Sequence, residues 1–119
     1  MQLENVALGP DGGELLSRGV RRHRILCELP ELEAFELAYG PDFEGVGPHT
    51  HDDHSDSFYV LEGEAEFTIS GETVRAGPGS WVSAPIGVEH GFRNAGRGEL
   101  RLINVHAPNT GFGEWLRGL

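Results

Sequence analysis

The stretch "GPHTHDDHSDSFYVLEG", residues 47–63, places His49, His51 and His54 among three aspartates, then turns into an apolar run, Phe58-Tyr59-Val60-Leu61. His49 and His51 are two apart. On a strand such residues face the same way, roughly 6.6 Å apart along the chain, so two imidazoles can converge on one point. Asp52-Asp53-His54-Ser55 has turn composition, and the chain can reverse there. Asp56 then opens the next strand opposite the histidine pair, and alternation from it sets Phe58 and Val60 on the same inward face. One hairpin can therefore gather two imidazoles and a carboxylate, a donor set suited to a divalent ion. A polar hairpin tip is the plainer alternative, and this stretch alone leaves both open.

A second stretch raises the signal. Residues 79–94 read "GSWVSAPIGVEHGFRN". Pro85 has no N–H to give to a sheet and Gly87 can take a positive φ, so the pair marks a sharp corner between strands. His90 opens the strand after that corner, Phe92 shares its face, and Asn94 begins the next turn.

Together the two stretches resemble the cupin superfamily, whose first motif is G-x5-H-x-H-x(3,4)-E-x6-G and whose second is G-x5-P-x-G-x2-H-x3-N. The second is matched at every fixed position, by Gly79, Pro85, Gly87, His90 and Asn94. In the first, His49, His51 and Gly63 match, Asp56 stands where the family has glutamate, and Phe43 occupies the place of the opening glycine, with Gly45 and Gly47 nearby. The resemblance covers residues 40–107 and implies a double-stranded β-helix, a jelly-roll barrel of two packed antiparallel sheets. It also implies one metal ion in the barrel mouth, bound by His49, His51, Asp56 and His90. Fe, Mn, Ni or Co would leave positions open for substrate, whereas Zn could be satisfied by four protein ligands. Aspartate is one methylene shorter than glutamate, so its oxygens fall short by roughly 1.5 Å unless the backbone adjusts. Direct ligation and a water-mediated role both remain open for Asp56, and its service as a catalytic base, a role glutamate can take in relatives, is in doubt.

The rest of the chain suits such a barrel. With 119 residues it forms one domain, residues 1–119, able to bury roughly two-thirds of its extended surface. Its 18 glycines and 7 prolines point to many tight turns and to an all-β class. "SFYVL", "EAEFTI", "ETVRA", "SWVSA", "HGFRN" and "ELRLINVHA" read as short strands separated by turn residues, and "RHRILCEL" as another. "ELEAFELAY" is ambiguous by pattern, since Phe35, Leu37 and Tyr39 fall at period two among helix-favouring residues; the resemblance makes it a strand. "NTGFGEWLRG" is expected to form a short C-terminal helical turn, packing Phe112, Trp115 and Leu116 on the barrel.

A net charge of −10 argues against nucleic acid and anionic membranes as partners. Arg18, Arg21, Arg22 and Arg24 read as a solvated strand edge. The absence of lysine excludes a Schiff-base or Walker-type lysine. Cys27, the one cysteine, reads as a small buried filler, and with no apparent export signal in "MQLENVALGPDGG" the expected setting is cytoplasmic. Phe58, Val60 and Phe92 are expected to line the pocket below the metal, or else to be ordinary barrel core. His54 is expected to be exposed in its turn, and His106 and Asn104 to be satisfied groups of the core or rim. His23 has no usable context.

The function implied is a small metal-dependent enzyme, similar to quercetin dioxygenase-like cupins, acting on an enol, phenolic or carboxylate substrate. The alternative is a non-catalytic module binding a small ligand or metal. Small cupins are commonly homodimers joined through sheet edges, which here would involve residues before Tyr39.

Overall fold

The computed structural model describes residues 6–119; residues 1–5, part of the segment examined for an export signal, lie outside the described residues. The strands are β1 (Glu14–Arg18), β2 (Arg21–Glu28), β3 (Glu33–Tyr39), β4 (Val46–His49), β5 (Ser55–Glu62), β6 (Ala65–Ile69), β7 (Glu72–Ala76), β8 (Trp81–Ala84), β9 (His90–Asn94) and β10 (Leu100–Ala107). One helix, α1 (Phe112–Arg117), follows them. The strands form a six-stranded sheet, β1-β2-β3-β10-β5-β8, and a four-stranded sheet, β4-β9-β6-β7. Every pairing is antiparallel, as the jelly-roll expectation required.

Side-chain alternation explains why the sheets close on each other and where the site falls. Along β10, Leu100, Leu102, Asn104 and His106 are buried while their neighbours are half-exposed. Register sets Leu102 between Leu37 and Val60, Asn104 between Phe35 and Phe58, and His106 between Glu33 and Asp56. The inner face of the large sheet is thus apolar along most of its length and polar in its last row. Phe67 and Phe92 of the small sheet close over Phe58, with ring centroids 5.0 and 5.2 Å away. Full burial of side chains such as Phe35, Phe67 and Leu102 contributes about 1.5–3 kcal/mol each. This apolar floor holds the polar row in place.

The ambiguous segment is strand β3. It pairs with β2 and β10 on its two edges, and Phe35, Leu37 and Tyr39 all turn inward, so packing overrides the helix propensity of its glutamates and leucine. The expectation for Cys27 needs correction. A register shift between Ile25 and Cys27 breaks the alternation of β2 and leaves the thiol half-exposed. The expectation of a strand edge for the arginines needs correction: Arg21, Arg22 and Arg24 lie on β2, which β1 and β3 pair on both sides, and only Arg18 is on the edge strand β1. The three on β2 are ion-paired, Arg22 with Glu99, Arg24 with Glu36 at 3.2 Å and Arg21 with Glu44 at 3.4 Å.

The C-terminal helix forms, but not with the packing its spacing implied. Leu116 is buried and Phe112 meets Phe35 edge-on at 5.1 Å, whereas Trp115 stays largely exposed and stacks on Phe112. The helix is held by Glu33, a fully buried carboxylate that accepts the N–H groups of Thr110, Phe112 and Gly113, each at 3.3 Å. Arg117 then pairs with Glu28 at 2.6 Å and Glu14 at 2.9 Å, joining the tail to the first two strands. Among the described residues no helix is long and apolar enough to cross a membrane.

His23 gives the fold a measurable acid sensitivity. It is buried beside Tyr39, whose hydroxyl lies 3.2 Å from its Nε2. Burial, reinforced by the charge of Arg21, pushes its pKa down from 6.5 to about 4. The folded state therefore resists a proton that the unfolded chain accepts. Its contribution is fully present above pH 6.5 and is lost as pH falls towards 4. We expect about 2 kcal/mol of stability to disappear across that window in the metal-free protein. In His23→Phe that part of the loss should be missing, as read from urea midpoints at pH 7 and pH 4.5. An equal loss in both proteins would contradict it.

Candidate metal centre

His49 closes β4 and stands directly across from His90, which opens β9. Their close approach depends on Gly91: a Cβ there would meet the carbonyl oxygen of Val46 at 2.5 Å, so a side chain would push the two strands apart. With glycine in place, the two imidazole centroids are 4.4 Å apart. His51 lies in the following turn. The corner at Gly87, with φ of 82°, donates its N–H to the His51 carbonyl at 2.8 Å and ties the two loops together. Asp56 enters from β5. One ligand atom from each of His49, His51, Asp56 and His90 lies within 4.8 Å of all the others.

These four side chains fit a divalent ion. His49 donates Nδ1–H to the Gly47 carbonyl at 2.8 Å and His90 donates Nδ1–H to the Val88 carbonyl at 2.9 Å, which leaves the Nε2 lone pairs for the centre. Such outer bonds fix tautomer and ring orientation in metal-binding histidines. Asp56 Oδ2 lies 2.9 Å from His90 Nε2 and 3.5 Å from His51 Nε2. Two ligands bound at about 2.1 Å and at right angles stand about 3.0 Å apart, so Asp56 is within reach of an ion held by His90.

The other oxygen of Asp56 is held as firmly. Oδ1 accepts the Asn104 amide at 2.6 Å and faces His106 Nε2 at 3.3 Å. Burial alone would raise the Asp56 pKa, but the hydrogen bonds from His106, His90 and Asn104 outweigh it and hold the carboxyl well below its usual range. His106 also faces Glu33 through Nδ1 at 3.3 Å, so both its nitrogens meet carboxylates. Burial opposes its charged form, yet Asp56 and Glu33 together raise its pKa above the ordinary value. His90 is raised too, burial being outweighed by Asp56 and the Val88 carbonyl. His51 moves the other way: burial, with the imidazoles around it, pushes its pKa down to about 4, so it is neutral and ready to ligate.

His49, His51 and Asp56 open onto a cavity of about 480 Å³, and His90 is buried behind them. Phe58 and Phe92 line it, whereas Val60 is ordinary barrel core, wholly buried one row deeper and opposite Leu102. The aromatic wall continues through Tyr39, Phe43 and Phe112, and Arg18 and Arg21 also border the cavity. His23 and Thr110 belong to this lining as well. Sequence alone did not place them, because β2 and the tail meet the barrel mouth only through tertiary contacts. Phe43 had a signal, since it fills the place of the motif's opening glycine.

His54 is the largest correction. It is buried, not exposed: its ring stacks on His51 with centroids 4.1 Å apart and lies 4.7 Å from His106. Nδ1 faces Asp53 at 2.8 Å and the Thr110 hydroxyl at 3.2 Å, while Nε2 meets no partner. Asn104 and His106 are satisfied, as expected, but the groups satisfying them are Asp56 and Glu33, which makes them supports of the candidate centre.

Comparison with known proteins agrees with this architecture. The family model Cupin_2, described as a cupin domain, matches residues 35–106. The quercetin 2,3-dioxygenase of Bacillus subtilis is 26% identical over 84 residues, a match covering 68% of this chain and 25% of that protein. The chain spans half or less of the length of the curated relatives it matches. Among solved structures, KdgF from Halomonas sp. superposes with a TM-score of 0.73 at 25% identity, over 81% of this chain and 86% of that one. The cupin domain of Schizosaccharomyces pombe Cnp3 superposes with a TM-score of 0.74 at 22% identity, over 96% and 81%.

Proposed function

The chain belongs to the Cupin_2 family, and we propose on that premise that it is a small metal-dependent enzyme, an oxygenase acting on an enol, phenolic or carboxylate substrate. The carrying observation is the convergence of His49, His51, Asp56 and His90 at an aromatic cavity, with two of the imidazoles already oriented by backbone carbonyls. A bound Fe, Mn, Ni or Co ion would supply Lewis acidity towards an anionic substrate oxygen and redox access to dioxygen. The protein's own share is positioning. Phe58, Phe92 and Phe43 exclude water and hold a flat apolar body, while Asp56 stays anionic because Asn104 and His106 hold it so. A carboxyl kept that far below its usual range is a poor proton acceptor, which favours Asp56 as ligand over Asp56 as base. The dioxygenase relative supports the oxygenase assignment.

The test is oxygen uptake by tag-free protein loaded with each metal, against flavonols, catechols and β-diketones. Metal-dependent uptake absent in His51→Ala is expected; none with any pairing would contradict the enzyme assignment. A second reading rests on the same complete donor set, since four protein ligands satisfy zinc and would make a closed site in a non-catalytic module.

Asp56 separates direct from indirect binding. Asp56→Asn removes the anionic ligand and is expected to weaken Co(II) binding by more than about a hundredfold, beyond the usual cost of losing an outer-sphere partner. Asp56→Glu should keep affinity within about tenfold, because glutamate is the family's residue there. An unchanged Co(II) spectrum and affinity in Asp56→Asn would remove Asp56 from the ligand set.

The same proposal includes a homodimer. β1 is an edge strand of the large sheet, and Leu15 on it is 60% exposed. Contact with a second copy through the strands before Tyr39 would cover that edge. Light scattering should give twice the chain mass of 12.9 kDa; a monomer at high micromolar concentration would contradict it.

A further inference from the structure

The four candidate ligands leave one buried nitrogen of the cavity unexplained. His54 lines the cavity and is 6% exposed, and among the described residues its Nε2 is the buried side-chain nitrogen or oxygen without a hydrogen-bond partner. Its Nδ1–H is spent on Asp53 and Thr110. With the ring proton on Nδ1, Nε2 is an acceptor with nothing to accept from. Burying such a group unpaired is costly, and a buried polar atom left so beside a cavity is accounted for by a ligand that completes it.

We infer that His54 orients the ligand by accepting a hydrogen bond from a hydroxyl on it, and that the ligand is an α-hydroxy acid or a vicinal phenolic diol with an apolar body. The inference rests on the metal-centre reading above and deepens it. The His54 ring stacks on His51 with centroids 4.1 Å apart, which puts the hydroxyl close to the oxygen that enters the centre. The aromatic wall of Tyr39, Phe43 and Phe58 suits the apolar body, and Arg18 and Arg21 on the cavity border suit an acid. A ligand with only acceptors beside its metal-binding oxygen would leave Nε2 as orphaned as before. His54 is thus a positioning residue that discriminates a hydroxyl from its methyl ether.

The experiment is a cycle of two ligands and two proteins. Mandelate and O-methylmandelate are titrated into Co(II)-loaded wild type and His54→Phe, which keeps a flat ring against His51 and removes both nitrogens. Wild type is expected to prefer mandelate by about tenfold, the size of one hydrogen bond, and His54→Phe to bring the ratio within about twofold while taking up the same Co(II). His54→Leu serves the same comparison if the phenylalanine variant does not fold. An unchanged ratio in the variant with full Co(II) content would overturn the role of His54 and leave the metal centre standing. Binding of neither acid to loaded wild type would overturn the α-hydroxy acid as ligand, and the same result with catechol and its monomethyl ether would overturn the diol. Failure of wild type to take up Co(II) would count against the metal centre instead, and the same cycle on metal-free protein would still decide the role of His54.

Discussion

The double variant His49→Ala/His90→Ala is expected to lose stoichiometric Co(II) binding, with affinity lower by more than about a thousandfold. These two residues are a cross-strand pair between β4 and β9, each with its Nδ1–H anchored to the backbone two residues earlier. They are the donors whose orientation is set before any ion arrives. Without them His51 and Asp56 remain, on the connection from β4 to β5 that crosses between the sheets, their facing N and O atoms 3.5 Å apart and too few to hold an ion against water. Binding in wild type should also weaken on acidification, because a proton competes for His90 from a pKa already raised above 6.5. Titration calorimetry reads the loss, and circular dichroism checks that the fold is intact. Wild-type stoichiometry in the double variant would contradict the assignment.

Glu33→Ala is expected to destabilise the protein by about 3–5 kcal/mol, the range for removing one partner of a buried charged network. The carboxylate is fully buried and accepts from three backbone N–H groups at the start of α1 and from His106. Alanine leaves all four donors without an acceptor, in a row where Phe35 and Phe112 admit little water. Glu33→Gln keeps an oxygen for the amides and should cost less than half as much. The alanine variant should also release the tail, seen as faster amide exchange at residues 112–117. A shift below about 1 kcal/mol in urea unfolding would show that the tail is held by Leu116 and Arg117 instead.

How much of this was legible in the sequence follows from how local each determinant is. The cluster at the candidate centre was legible because its motifs fix short spacings: a histidine at a strand end, another in the turn after it, then a carboxylate at a strand start. The strands from β5 to β10 were legible because alternation and turn residues agree along that stretch. The strand character of β3 was legible only through the family resemblance, not in its own pattern, since its glutamates and leucines fit a helix until β2 and β10 occupy both its edges. His54 was misplaced for a related reason. Turn composition argues for exposure, but Thr110 and the tail cover this turn from 56 residues away, and no local pattern announces that. Cys27 fell to a bulge, which shifts alternation by one residue without any change in composition. The support of Asp56 by Asn104, His106 and Glu33 needs the register of three strands, which short-range spacing does not carry.

Metal-edge X-ray absorption of wild type loaded with one equivalent of Co(II) tests the metal centre most directly. The account predicts imidazole scattering from His49, His51 and His90 together with an oxygen ligand from Asp56, the metal–nitrogen distances falling near about 2.1 Å. A bound ion with no imidazole scattering would contradict it.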